Sequence, residues 1–173
     1  MQGPVVQIIA QIIGIVAMAV CVSSFQFKNN KRFFIVQGVS SCLFFTHFFL
    51  LGAYTGAFLN LLGLVRSTCL SIKKLRHPVF EVLIMAIYTL ITVLTYDGWL
   101  SILVLAAQLI GTAVFWRNKA MLIRIYQLAI GSPFWLVYNI FNFSIGGIVT
   151  EVFNLISTTV SIIRYRKTGF DES

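Results

Sequence analysis

Two asparagines, Asn60 and Asn154, sit in the middle of otherwise apolar stretches. An amide side chain brings two donors and an acceptor, which helix packing alone rarely satisfies. Around Asn154, the residues Glu151, Thr158 and Ser161 recur at spacings of three, four and three and so share one helix face. Asn60, Gly63 and Ser67 repeat the idea, as do Gln37, Ser41 and Phe44, while Trp135, Tyr138 and Asn142 form a further stripe. Such a stripe either lines a cavity for a polar solute or glues helices through small residues and hydroxyls. The Ser, Thr and Gly members fit the gluing role and the asparagines fit the cavity. Phe44, Phe45 and Trp135 offer stacking faces to a ring-shaped ligand, although aromatics this frequent also serve as ordinary core.

Charges inside apolar stretches are costly and need a reason. Arg66 lies seven residues before Lys73, about 10 Å from that end of its helix at 1.5 Å per residue. It can snorkel, or it can pair with Glu81 at similar depth and form part of a gate. Glu151, near the opposite end of its stretch, is either hydrated or a proton-coupling carboxylate. His47 reads as a satisfied interfacial histidine and His77, before Pro78, as a loop residue. No Ser-His-Asp set, paired carboxylates, HExxH or phosphate-cradling glycine loop occurs, so no enzyme is expected. Cys21, Cys42 and Cys69 fall singly in apolar runs, which predicts neither a metal site nor a disulfide framework. No cofactor is expected.

These residues need helices that cross lipid. The chain has 173 residues, 58% hydrophobic and 10% charged, with mean hydropathy +0.90. A soluble domain needs roughly a quarter charged residues for its coat. Its solvent is therefore lipid. Apolar runs between polar breaks give seven spans: Val5 to Phe25, Phe33 to Leu51, Gly56 to Ile72, Val79 to Thr95, Trp99 to Trp116, Met121 to Phe141 and Gly146 to Ile163. Span one has no Lys or Arg before it and no cleavage-like stretch after it, so it reads as a span rather than a secretory signal.

The net charge of +8 would suggest nucleic acid in a soluble protein. Here the cations follow the odd-numbered spans: Lys28, Lys31 and Arg32; Lys73, Lys74 and Arg76; Arg117 and Lys119, with Arg124 just inside span six; Arg164, Arg166 and Lys167. The loops after spans two, four and six contain Asp97 and no Lys or Arg. Seven spans thus put twelve of thirteen basic residues on one face, which the positive-inside rule makes cytoplasmic. The expected partner is a bilayer, not nucleic acid, with the amino terminus outside and the carboxyl terminus inside.

An offset of 90 residues aligns Phe25 with Phe115, Gln37 with Gln127, and Phe44-Phe45 with Phe134-Trp135. Four inserted residues after span six then align Gly52-Ala53 with Gly146-Gly147 and Asn60-Leu61 with Asn154-Leu155. The expected organisation is a three-helix repeat (1–77), a linker helix (78–97) and a second repeat (98–173). One extra helix restores the chain's direction, so the repeats are parallel about an axis along the membrane normal.

That three-plus-one-plus-three plan resembles the SWEET and PQ-loop superfamily. More closely, Ser24-Phe25-Gln26-Phe27-Lys28-Asn29 and Leu50-Leu51-Gly52-Ala53-Tyr54-Thr55-Gly56-Ala57 resemble the bacterial inner-membrane YgjV family. The superfamily resemblance implies an Asn in the third helix of each repeat facing a substrate cavity, which matches Asn60 and Asn154. It also implies a Pro-Gln pair near the cytoplasmic end of each repeat's first helix, where this sequence has Phe25-Gln26 and Phe115-Trp116. The expected function is a transporter of a small polar metabolite working by alternating access. Its cavity is lined by Asn60, Asn154, Gln37, Gln127, Trp135 and Tyr138, with Arg66 and Glu81 at a gate and Glu151 as a coupling candidate. The alternative is a non-transporting receptor or accessory subunit of the same fold. A homo-oligomer is among the assemblies the sequence allows.

Overall fold

The computed structural model describes residues 4–166 and Gly169; Lys167 of the last basic group lies outside them. Seven helices follow in order among the described residues: α1 (Pro4–Ser24), α2 (Asn30–Leu51), α3 (Tyr54–Ser71), α4 (Pro78–Leu94), α5 (Trp99–Trp116), α6 (Ala120–Phe141) and α7 (Ile145–Tyr165). Five of them, α1, α2, α5, α6 and α7, are long and apolar enough to cross a membrane. Asn60 and Arg66 dilute the apolar content of the 18-residue α3, and α4 has 17 residues.

Local chemistry sets the ends. Asn29 caps α2 by accepting from the Arg32 N–H at 3.1 Å, so the helix begins three residues before Phe33. Ser144 caps α7 through the Gly147 N–H at 3.1 Å. Pro78 opens α4, where its missing N–H costs nothing. Gly52 ends α2 at φ +79°, a left-handed turn that suits glycine. Inside α6, the segment Gln127–Gly131 is a π-helical turn. Pro133 follows, and its ring would crowd the carbonyl four residues back in a regular helix. The widened turn relieves that crowding.

The helices pack α1 on α2, α2 on α3, α3 on α5, α5 on α6, α6 on α7, and α7 back on α1. Six helices thus close a ring. The seventh, α4, lies outside it against α3 and α5. The polarity is inverted relative to a soluble protein. Val5, Ile8, Ile12, Ile15, Val82, Val93 and Leu94 are exposed, whereas Ser40, Gln108, Thr112, Asn154 and Ser161 are buried. Apolar groups face outward where lipid is the solvent, and backbone and side-chain polar groups turn inward.

Close backbone approach seals the α1–α7 contact. A Cβ added to Gly146 would meet the Gly14 Cα and carbonyl carbon at 3.1 Å, so only small residues fit there. His47 of α2 bridges the same place. Its Nδ1 donates to the Ala10 carbonyl at 2.7 Å, and its Nε2 therefore accepts from the Ser144 hydroxyl at 2.9 Å. The histidine is satisfied as expected, and it is fully buried.

Candidate central cavity

A cavity of about 90 Å³ lies at the centre of the ring. All six ring helices contribute to it and α4 does not. Asn60 and Asn154 both line it, as do Gln37 and Gln127, one of each pair from each half of the chain. The π-turn places Gln127 and Gly131 on its wall. Phe44 and Trp135 supply aromatic faces, whereas Phe45 packs away from it against Phe49 and Phe58.

The two asparagines are not used alike. Asn60 turns its Nδ2 onto the Gly56 carbonyl of its own helix at 2.9 Å. Asn154 donates to Glu151 Oε2 at 3.2 Å and accepts from the Cys21 thiol at 3.6 Å. Gln37 reaches the same thiol at 3.8 Å and the Ser24 hydroxyl at 2.8 Å. On the other side, Gln127 donates to the Ser132 hydroxyl at 2.8 Å. One polar chain, Gln37–Cys21–Asn154–Glu151, therefore runs from the first half of the ring to α7 in the second. Glu151 lies within this chain, lines the cavity and is 8% exposed.

Two expectations need correction, and a third residue does more than expected. Arg66 does not pair with Glu81. Its Nη1 donates to Gln108 Oε1 at 2.8 Å and to Thr112 Oγ1 at 3.2 Å, both on α5. Its guanidinium lies 4.8 Å from the Phe115 ring centre and 5.7 Å from that of Tyr88 on α4. With two polar partners and two ring faces at hand, the long side chain turns toward α5 instead of snorkelling, and half-buried Glu81 stays apart on α4. Tyr138 does not line the central cavity. Its hydroxyl accepts from the Gly56 N–H at 3.0 Å and so pins α6 to α3; a separate cleft beside Asp97 and Asn142 runs along its outer side. Arg124 is more than a topology marker. It is fully buried, donating to the Phe27 carbonyl at 3.2 Å and lying 4.9 Å from the Phe33 ring centre.

Arg124 belongs to a clasp at one end of the ring. Asn30 Nδ2 donates to the Asn118 carbonyl at 2.9 Å, and the Tyr165 hydroxyl donates to the Gln26 carbonyl at 3.1 Å. The α1–α2 and α5–α6 loops and the end of α7 are thereby drawn together, bringing three of the basic clusters to one end.

Gln108, Thr112 and Asn139 escaped the sequence reading. Gln108 and Thr112 stand four residues apart in an apolar span, a one-face signal like that of the α7 stripe. Asn139 lines the cavity, is 1% exposed, and its Oδ1 has no hydrogen-bond partner among the described residues. Among the described residues no cluster of His, Cys, Asp or Glu could hold a metal.

A closed ring of apolar helices around a polar centre defines a multi-pass helical membrane protein. The family model for Imp-YgjV, described as a bacterial inner membrane protein, matches residues 8–169. The chain belongs to that family and resides in the bacterial inner membrane. It is 24% identical over 170 residues to the inner membrane protein YgjV of Escherichia coli (strain K12), an alignment covering 94% of this chain and 89% of that protein. No solved structure matches.

Proposed function

We propose that this chain is a transporter of a small polar metabolite, built as two parallel three-helix repeats joined by α4 and related to the SWEET and PQ-loop superfamily. The observation that carries the reading is the meeting of Asn60 with Asn154, and of Gln37 with Gln127, in one central cavity. Like packing within the halves supports the repeat: α2 lies between α1 and α3 as α6 lies between α5 and α7. The clasp that gathers basic loops at one end supports a cytoplasmic placement of that end, with the amino terminus outside. Substrate would enter from one side, bind between the halves and leave as they rock apart at the opposite end. Catalysis has no part in this reading.

Counterflow in proteoliposomes tests it. Wild-type vesicles should exchange a labelled small metabolite, while Asn154→Ala and, more weakly, Asn60→Ala lose exchange. Asn154 has the larger effect because its loss also frees Glu151. Vesicles inert toward a broad panel of polar metabolites would overturn the proposal.

One observation favours a non-transporting receptor or accessory subunit instead. Phe25-Gln26 and Phe115-Trp116 occupy the positions of the superfamily's proline hinges, so rocking would need another pivot. The π-turn ahead of Pro133 in α6 is the available one. Co-purification of a stoichiometric partner with no exchange by the isolated chain would support this second reading.

A further inference from the structure

Of the residues lining the central cavity, two are charged: Arg66 on one wall and Glu151 on another. They are 9% and 8% exposed. Neither forms an ion pair with the other or with any other described residue. A charge buried without a counter-charge is expensive, and inside a bilayer such residues pair or serve a solute pathway. Two ionisable groups of opposite sign facing one cavity without meeting leave room between them for a solute that carries the matching charges.

The neutral groups on each wall sort the same way. Beside the cation, Arg66 Nε is a buried donor with no partner, and only Nη1 of the terminal nitrogens is engaged. Beside the anion, Asn139 Oδ1 is a buried acceptor with no partner, and a Cβ on Gly147, one turn before Glu151, would fall on it. One wall thus has spare donors around a positive charge. The other has a spare acceptor near a negative one. Arg66 lies six residues further along α3 than Glu151 lies along α7, about 9 Å at 1.5 Å per residue. A molecule touching both must carry its charges at opposite ends.

We infer that the central cavity takes a small zwitterion with one carboxylate and one ammonium, an α-amino acid of the size of glycine or alanine. The carboxylate docks on Arg66 and the ammonium between Glu151 and Asn139. Size follows from volume. An apolar cavity of about 150 Å³ accepts the six heavy atoms of benzene, so about 90 Å³ suits roughly four heavy atoms in proportion. Glycine and then alanine come nearest to that size among the amino acids, and leucine lies far outside it. The inference rests on the transporter reading for its biological sense, but binding can be measured without transport.

The test is a panel of ligands against the full chain in detergent, read by thermal unfolding and calorimetry. A ligand that binds only the folded form raises the midpoint with the logarithm of its concentration. Glycine and alanine should raise it. Acetate, methylammonium, glucose and leucine should not. Arg66→Gln and Glu151→Gln should each weaken glycine binding by about tenfold or more, while Arg66→Lys keeps part of it. If the Gln variants do not fold, the wild-type panel decides alone. Acetate binding as tightly as glycine would make this an anion site and overturn the inference, as would methylammonium or glucose doing so, or no response to either amino acid. Glycine binding without glycine counterflow in proteoliposomes upholds the site and sinks the transporter. Counterflow of a neutral metabolite with no amino-acid binding does the reverse.

Discussion

The ring has two junctions between its halves, α3 against α5 and α1 against α7, and they are built from opposite materials. At the first, Arg66 is buried among Gln108, Thr112 and Phe115. In the 90- and 94-residue registers of the proposed repeat, the counterparts of Arg66, Gln108 and Thr112 are Val160, Met18 and Val22. All three line an apolar groove of about 420 Å³ along the second junction. The difference follows the linker helix. α4 covers the first junction and lays the Tyr88 ring over Arg66, whereas no helix among the described residues covers the second. A charge can persist in the bilayer where protein surrounds it, and an uncovered junction facing acyl chains must stay apolar. The second junction instead holds by backbone proximity at Gly14 and Gly146 and by polar ties at its two ends, Gln11 to the Gly146 N–H and Gln26 to Ser157.

The comparison breaks most visibly if the cover is removed. Tyr88→Ala deletes a fully buried ring and opens Arg66 toward lipid; large-to-small aromatic changes cost about 3–5 kcal/mol. The thermal midpoint in detergent should fall accordingly, and an unchanged midpoint would dismiss α4 as the shield. Val160→Arg places the first junction's charge in the second, where the Gln26 amide is already tied to the Ser157 hydroxyl and no described helix lies over it. An arginine at mid-bilayer costs about 2.5–3.5 kcal/mol on insertion scales; Val160 lies five residues before the end of α7, so the cost is smaller, but the yield of inserted protein should still drop. Normal insertion and stability would show that covering is not what separates the junctions. Gly146→Ala pushes a methyl group against the Gly14 backbone and should cost about 1–3 kcal/mol, the range for overpacking. Gly98→Ala, whose added methyl meets nothing within 4 Å, controls for size, though its φ of +82° carries its own strain.

The two junctions also mark what the residue pattern could and could not convey. The span boundaries lie within three residues of the helix ends, because an abrupt change from apolar to polar marks where a chain leaves lipid. The asparagine and glutamine pairs reached the cavity because a polar side chain in an apolar helix has only the interior to turn to. Which way an apolar or amphipathic residue turns is far less legible, since lipid and protein interior are both apolar. Tyr138 was assigned to the cavity on that weak footing, and it pins α6 to α3 instead. Arg66 reads from the sequence as a snorkelling side chain or a partner of Glu81 at similar depth; the neutral pair Gln108 and Thr112, which receives it, was the better signal and lay in the sequence. The repeat set α4 apart as a linker, but nothing in its residues announced which junction it would cover.

The smallest effect is the most discriminating. Tyr88 touches Arg66 through its ring face, and its hydroxyl is buried with no hydrogen-bond partner among the described residues. Tyr88→Phe keeps the ring and the cation–π contact and removes an unsatisfied polar atom. A buried, unpaired hydroxyl is a net cost of about 1–3 kcal/mol on mutational scales, so its loss should leave stability unchanged or slightly raised. Tyr88→Ala destroys the cover, while Tyr88→Phe tests whether the cover is the ring alone. If Tyr88→Phe destabilises by more than about 1 kcal/mol, the hydroxyl has a partner such as an ordered water in the cavity wall. The first junction would then be held by a hydrated polar network rather than by aromatic shielding, and Val160→Arg would fail for want of water instead of want of a helix.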